Sequence, residues 1–223
     1  MKTLHKKLIA EFTGTFFMIL FGCGSIIVNQ LTGAISHLGV AIVWGIVVAV
    51  MISATGHISM AHFNPAVTIA FAATGHFPKK EVLPYIISQI IGALLACAAL
   101  FIIFEQPETY GASQPSGSLI QSFVLELFLT ASLMFVIIAV ATDQTAPGPI
   151  APIMIGATVA LNALWAGPIS GASMNPARSI APAIFQGSWS GHWLYWVGPI
   201  LGALLGAFLY KAIRRDKRST ANP

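Results

Sequence analysis

Charge is what this chain of 223 residues has least of: Asp, Glu, Lys and Arg together make up 8% of it, against roughly 25% in soluble globular domains. So small a charged fraction leaves too little polar surface to clothe a water-soluble fold, and it excludes that class. Cysteine is nearly absent too, with Cys23 and Cys97 the two in the chain. Both fall in apolar runs, so a small buried apolar side chain is the expected role of each, rather than a disulfide or a metal ligand. No metal-ligand spacing is present, and no metal or other cofactor is expected. A nucleophile, a base and an orienting group do not cluster near any motif, so the reading is not an enzyme.

What fills the chain instead is apolar sequence, 56% of all residues. Six stretches approach or exceed the roughly 20 apolar residues that cross a bilayer: 8–28, 38–56, 82–104, 119–141, 150–167 and 193–213. The first is too long for the apolar region of a signal peptide, and Glu11 interrupts it near its start, so it reads as a retained helix. Short loops rich in Lys and Arg stay cytoplasmic. Lys2, Lys6, Lys7, Lys79, Lys80, Lys211, Arg214, Arg215, Lys217 and Arg218 all fall on one side of a six-span topology, which predicts both termini cytoplasmic and an inner (plasma) membrane location. The opposite segment 105–117 carries Glu105 and Glu108 and no base, while the turn 143–148 carries no base and is neutral on the question. The net charge of +4 reflects these clusters, so no nucleic-acid partner is expected.

The tripeptide Asn-Pro-Ala occurs twice, at Asn64-Pro65-Ala66 and Asn175-Pro176-Ala177. Ile58, Ser59 and Ala61 recur as Ile169, Ser170 and Ala172 at the same offset of 111 (175 − 64). Glu11 and Thr15 pair with Glu126 and Thr130, and Gly92-Ala-Leu-Leu95 pairs with Gly202-Ala-Leu-Leu205. The chain is therefore a duplicated unit within a single transmembrane domain, with repeats over about 8–104 and 119–213 and a tail at 214–223. Three spans per half force the second copy to enter from the other side of the membrane, so the repeats are inverted.

Each tripeptide is followed by an apolar piece, 65–74 or 176–185, too short to span. Asn is a favoured N-cap and Pro suits the first helical position, so each tripeptide predicts the start of a re-entrant half-helix. The fold class is all-α: six transmembrane helices plus two half-helices in two inverted repeats. Two helix starts meeting at mid-membrane project unpaired N–H donors and partial positive charge. Such a spot repels cations and favours a neutral hydroxylated solute, to which the amides of Asn64 and Asn175 can donate. The irregular segments before the tripeptides, Met60, Ala61, His62 and Phe63 in one half and Gly171, Ala172, Ser173 and Met174 in the other, are expected to offer backbone carbonyls along one wall.

These motifs, His57-Ile-Ser-Met-Ala-His-Phe-Asn-Pro-Ala-Val-Thr68 and Gly167-Pro-Ile-Ser-Gly-Ala-Ser-Met-Asn-Pro-Ala-Arg-Ser179, resemble those of the aquaporin and aquaglyceroporin (major intrinsic protein) superfamily across essentially the whole chain. Their wording is most similar to the plant nodulin-like branch and its bacterial relatives. The resemblance implies one pore per subunit, a homotetramer in the bilayer, and passive passage of water and small neutral solutes with ions and protons excluded. It places an outer filter on Trp44, Ala163, Ala172 and Arg178, and makes Glu11 and Glu126 a structural pair that holds the tripeptide loops. Two alanines imply a wide filter that admits glycerol, urea, or neutral metalloid hydroxides such as arsenous or boric acid.

Ser179, where glycerol channels of the family carry Asp, and Tyr195-Trp196 resemble water channels instead, so a nearly water-selective pore is the alternative. An ion-coupled transporter, which shares inverted repeats and broken helices, is the reading from another class. Met60 stands where the family usually has Gly, at the cytoplasmic vestibule. His57 and His62 are expected to be structural or to line a vestibule, with pH gating by one of them the lesser reading.

Overall fold

The computed structural model describes residues 2–143 and 148–214. Eight helices account for most of them: α1 (Lys2–Thr32), α2 (Ser36–Ser59), α3 (Pro65–Ala73), α4 (Val82–Ile103), α5 (Leu119–Thr142), α6 (Ala151–Ser170), α7 (Pro176–Gln186) and α8 (Leu194–Ile213). Six of them, α1, α2, α4, α5, α6 and α8, are long and apolar enough to cross a membrane. The largest departure from the expected spans is α1, which begins and ends several residues beyond 8–28. Its flanking residues Lys6 and Lys7 are good helix formers, and the helix runs on until just before Gly33, whose φ is 67°. The bases Arg215, Lys217 and Arg218 and the centre of the turn 143–148 lie outside the described residues.

The helices pack in pairs that repeat the sequence duplication. α1 lies on α4 as α5 lies on α8, α1 on α2 as α5 on α6, and α3 on α8 as α7 on α4. Glycine permits close approach between α1 and α4, between α5 and α8, and between α2 and α6. A Cβ on Gly92 would lie 2.5 Å from the Phe12 carbonyl oxygen, and one on Gly202 would collide with the carbonyl of Leu127. α2 and α6 meet through Gly45 and Gly156, each of whose absent Cβ would strike the other's carbonyl oxygen. These two glycines also differ by the repeat offset (156 − 45 = 111), so the α2–α6 crossing sits on the pseudo-twofold axis.

Polar contacts gather the basic helix ends together. The Lys7 Nζ donates to Glu81 Oε2 at 3.0 Å, tying the start of α1 to that of α4, and the Tyr210 hydroxyl donates to Asp143 Oδ2 at 2.9 Å, tying the end of α8 to that of α5. In the loop after α3, burial holds the His76 imidazole below its ordinary pKa, and the nearby charges of Arg214 and Lys211 act in the same direction. Around the bundle, Phe21, Ile46, Val50, Ile102, Phe128 and Leu161 are each more than half exposed, as lipid-facing side chains must be.

Helix contact through glycine has a direct test. Gly202→Val is expected to lower stability by about 3 kcal/mol, the upper end of overpacking penalties, because Leu127's carbonyl is backbone and cannot move aside. Gly33→Ala, where nothing lies within 4 Å, is expected to lose only about 1 kcal/mol for its left-handed backbone. Thermal unfolding in detergent, followed by tryptophan fluorescence, separates the two.

Candidate functional site: paired half-helix starts in one cavity

Each tripeptide opens its half-helix in the same way. Asn64 and Asn175 are extended N-caps (φ −155° and −154°), with Pro65 and Pro176 in the first helical positions. The Asn64 Oδ1 accepts from the Ala66 N–H at 2.9 Å, and the Asn175 Oδ1 accepts from Ala177 at 2.9 Å and from Arg178 at 3.4 Å. The side-chain amides then cross between halves. Asn64 Nδ2 donates to the carbonyl of Met174, and Asn175 Nδ2 donates to the carbonyl of Phe63, both at 2.8 Å. Each amide keeps one further N–H for the lumen.

Upstream of each Asn the chain runs through left-handed conformations that only a strong constraint maintains. Met60, Ala61 and Phe63 have φ of 70°, 49° and 49°, while Gly171, Ala172 and Met174 have 84°, 40° and 54°. Buried carboxylates supply the constraint. Glu11, with no exposed surface, accepts from the backbone N–H of His62 and Phe63 and from Ser59 Oγ and Gln89 Nε2, at 2.7–2.9 Å. Glu126, equally buried, accepts from Ser173 N, Met174 N and Ser170 Oγ at 2.7–2.8 Å. A buried charge is tolerable when donors surround it. Two tyrosines fix the same turns: the Tyr85 hydroxyl donates to the Ser59 carbonyl at 3.0 Å and that of Tyr195 to the Ser170 carbonyl at 2.6 Å.

One cavity of about 490 Å³ connects the expected site residues, its lining including Asn64, Asn175, Trp44, Ala163, Ala172 and Arg178 together with Met60, Ala61, His62, Phe63 and Ser173. Gly171 is not on that lining. Apolar side chains such as Val48, Phe71, Ile137 and Val159 form much of its remaining wall. The Arg178 guanidinium lies 4.9 Å over the Trp44 ring, and its Nη1 donates to the Gly111 carbonyl at 2.7 Å. The indole of Trp44 is seated over bare Gly22, where a Cβ would lie 2.5 Å from the ring. Residues 109–112 are held to α7 by Gln186 Oε1, which accepts from Thr109 Oγ1, Tyr110 N and Ala112 N at 3.1–3.3 Å.

His57 also borders the cavity, beside Met60. His62 packs its ring against Phe71, Phe77 and Tyr85 at 4.7–5.3 Å, and its Nδ1 meets Thr68 Oγ1 at 3.1 Å. In the other half the Ser173 and Ser179 hydroxyls bond to one another, and Ser179 reaches Ser113 Oγ at 3.2 Å. Cys23 and Cys97 are buried free thiols. Sequence reasoning missed the cross-half acceptors Phe63 and Met174, the tyrosine pins and the glycine crossing. For the tyrosine pins and the glycine crossing the repeat offset was the available signal, since Tyr85 and Tyr195 are separated by 110 residues and Gly45 and Gly156 by 111.

The family model described as "Major intrinsic protein" matches residues 1–210. The chain is 51% identical over 210 residues to a probable NIP-type aquaporin of Nicotiana alata, covering 94% of this chain and 78% of that protein. It is 50% identical over 223 residues to aquaporin NIP3-1 of Arabidopsis thaliana (96% and 69% covered), and 46% identical over 211 residues to nodulin-26 of Glycine max (94% and 78%). The X-ray structure of the aquaglyceroporin from Plasmodium falciparum superposes with a TM-score of 0.85 over 94% of this chain and 96% of that one, and at 23% identity the likeness is one of fold. With the family model spanning nearly the full chain and plant relatives at half identity, this protein belongs to the major intrinsic protein family.

Proposed function

We propose that the passive channel this protein forms, for water and small uncharged solutes, has a filter wide enough for glycerol, urea or neutral metalloid hydroxides such as arsenous or boric acid. The reading rests on one observation: Trp44 and Arg178 share the cavity lining with Ala163 and Ala172, two methyl-sized side chains. The alanines leave room, the indole offers an apolar face, and the remaining Arg178 N–H groups donate to solute oxygen and repel cations. Mid-membrane, the spare amide N–H of each Asn and the positive half-helix starts continue the same electrostatic sign. Loop carbonyls on one side and apolar side chains on the other let a solute exchange water for protein acceptors in single file.

The features that favour a water-selective pore act outside the lumen. Tyr195 is fully buried and bonded to the Ser170 carbonyl, while Ser179 is tied to Ser173 and Ser113. Neither lines the cavity, so both bear on packing and loop position first. Ion coupling finds no support in Glu11 and Glu126, whose oxygens accept from the loops and their neighbours. The same proposal includes the single pore-forming domain with repeats at 8–104 and 119–213, both termini on the cytoplasmic side where the short basic segments lie, an inner (plasma) membrane location, and a homotetramer whose contacts cover part of the exposed apolar surface.

Stopped-flow light scattering on proteoliposomes tests the function directly. Fast entry of urea, glycerol and arsenous acid is expected, and water permeation with solute flux no greater than in protein-free vesicles would overturn the wide filter. Ala163→His is expected to reduce glycerol flux more than water flux, and equal loss of both in folded protein would remove Ala163 from the filter. Arg178→Ala is expected to raise cation conductance in planar bilayers, whereas unchanged exclusion would leave that role to the half-helix dipoles. Met60→Gly removes a left-handed non-glycine residue, so it is expected to add about 1 kcal/mol of stability and to raise all fluxes without changing their order, as read by thermal unfolding and the same flux assay.

A further inference from the structure

α6 contains Pro168, which has no N–H and so leaves the carbonyl of Leu164, four residues earlier, without its helical donor. The imidazole of His37, near the start of α2, fills that vacancy: its Nε2 lies 2.7 Å from the Leu164 oxygen. A carbonyl only accepts, so Nε2 must carry the proton, as it does in one neutral tautomer and in the imidazolium. The ring also packs on Gly167, where a Cβ would lie 3.0 Å from His37 Cε1.

The bond's position gives it a consequence for the pore. α2 and α6 cross at Gly45 and Gly156. His37 is eight residues from Gly45, and Leu164 is eight from Gly156 (45 − 37; 164 − 156), so the bond joins the two helices about 12 Å outward from their crossing. Trp44 and Ala163 both lie between these two contacts, on α2 and α6 respectively. The repeat does not supply a matching bond at the other end, because the residues offset by 111 from His37 and Pro168 are Gly148 and His57. Gly148 has no side chain to donate, and residue 57 retains an N–H for Ser53.

We propose that His37 is a positioning residue for the filter: its bond to the carbonyl orphaned by Pro168 sets how far α2 and α6 diverge at the level of Ala163, seven residues out from the crossing beside which Trp44 lies, and thereby the size limit of the pore. This rests on the assignment of Trp44 and Ala163 to the filter. His37 touches no solute. Held by that bond, its ring acts as a fixed spacer.

The test is permeability of water, urea, glycerol and erythritol in proteoliposomes bearing the full chain or its His37→Ala, His37→Asn and His37→Gln variants. Loss of the spacer in His37→Ala and in the shorter His37→Asn is expected to raise the glycerol-to-water and erythritol-to-water ratios severalfold. His37→Gln, whose amide donates at similar reach, is expected to retain the parent ratios. Unchanged ratios in the Ala and Asn variants, or an equal shift in all three, would overturn the inference. Should Ala and Asn fail to fold, a shifted ratio in folded Gln would overturn it, and a retained ratio would support it. A parent protein that passes water alone would defeat the wide-filter reading, and the inference would still be read from whether the variants begin to admit urea.

Discussion

Backbone that leaves a helix inside a bilayer has nowhere to place its hydrogen bonds except on other protein groups, and the rest of this structure follows from that requirement. Two segments, just upstream of the tripeptides, leave helical geometry for left-handed turns. Their N–H groups therefore have to be collected from behind. Glu11 and Glu126 do this from the neighbouring spans α1 and α5, each oxygen accepting at least one donor. A neutral side chain has fewer lone pairs and its own protons to place, so an ionised carboxylate is the economical choice despite the desolvation of its charge. With those N–H groups held, the carbonyls of Phe63 and Met174 accept from the Asn amide of the opposite half.

The near-symmetry of the halves explains the scaffold, and its breaks distinguish the two ends of the cavity. Ser59 and Ser170, Phe63 and Met174, and Tyr85 and Tyr195 play matching parts. At one end the segment around Gly111 and Ser113 folds over the second loop and holds Arg178 in place over Trp44. At the other end, among the described residues, no such segment lies over Met60, which stands half exposed where its counterpart Gly171 is pressed against Ser113. A methionine is accommodated at the first position for want of that cover. A glycine is required at the second because a Cβ there would meet Ser113 at 2.9 Å.

Much of this was legible from residues alone, for reasons that differ by element. Runs of apolar sequence decide spans because bilayer thickness fixes their length. Asn followed by Pro decides a helix start because N-capping and the proline ring are local effects, and α3 and α7 begin at Pro65 and Pro176 as the pattern indicates. The amides that link Asn64 to Met174 and Asn175 to Phe63 were not legible, since they join segments 110 and 112 residues apart. Nothing local to His37 announces a bond to Leu164, 127 residues away. Proline within α6 was visible, but which group would answer the carbonyl it frees depends on a helix crossing that only the packed structure reveals.

The exchange of amide bonds between the two tripeptides bears on how the molecule comes into being. When the first half has left the ribosome and entered the membrane, Asn64 has no Met174 to meet and the Phe63 carbonyl has no Asn175. The first re-entrant loop must therefore wait, incompletely bonded, while α4, α5 and α6 are synthesised and inserted. Its closing partner arrives with residues 174 and 175, late in translation. The two tripeptides can thus complete their bonds only once both halves are in place.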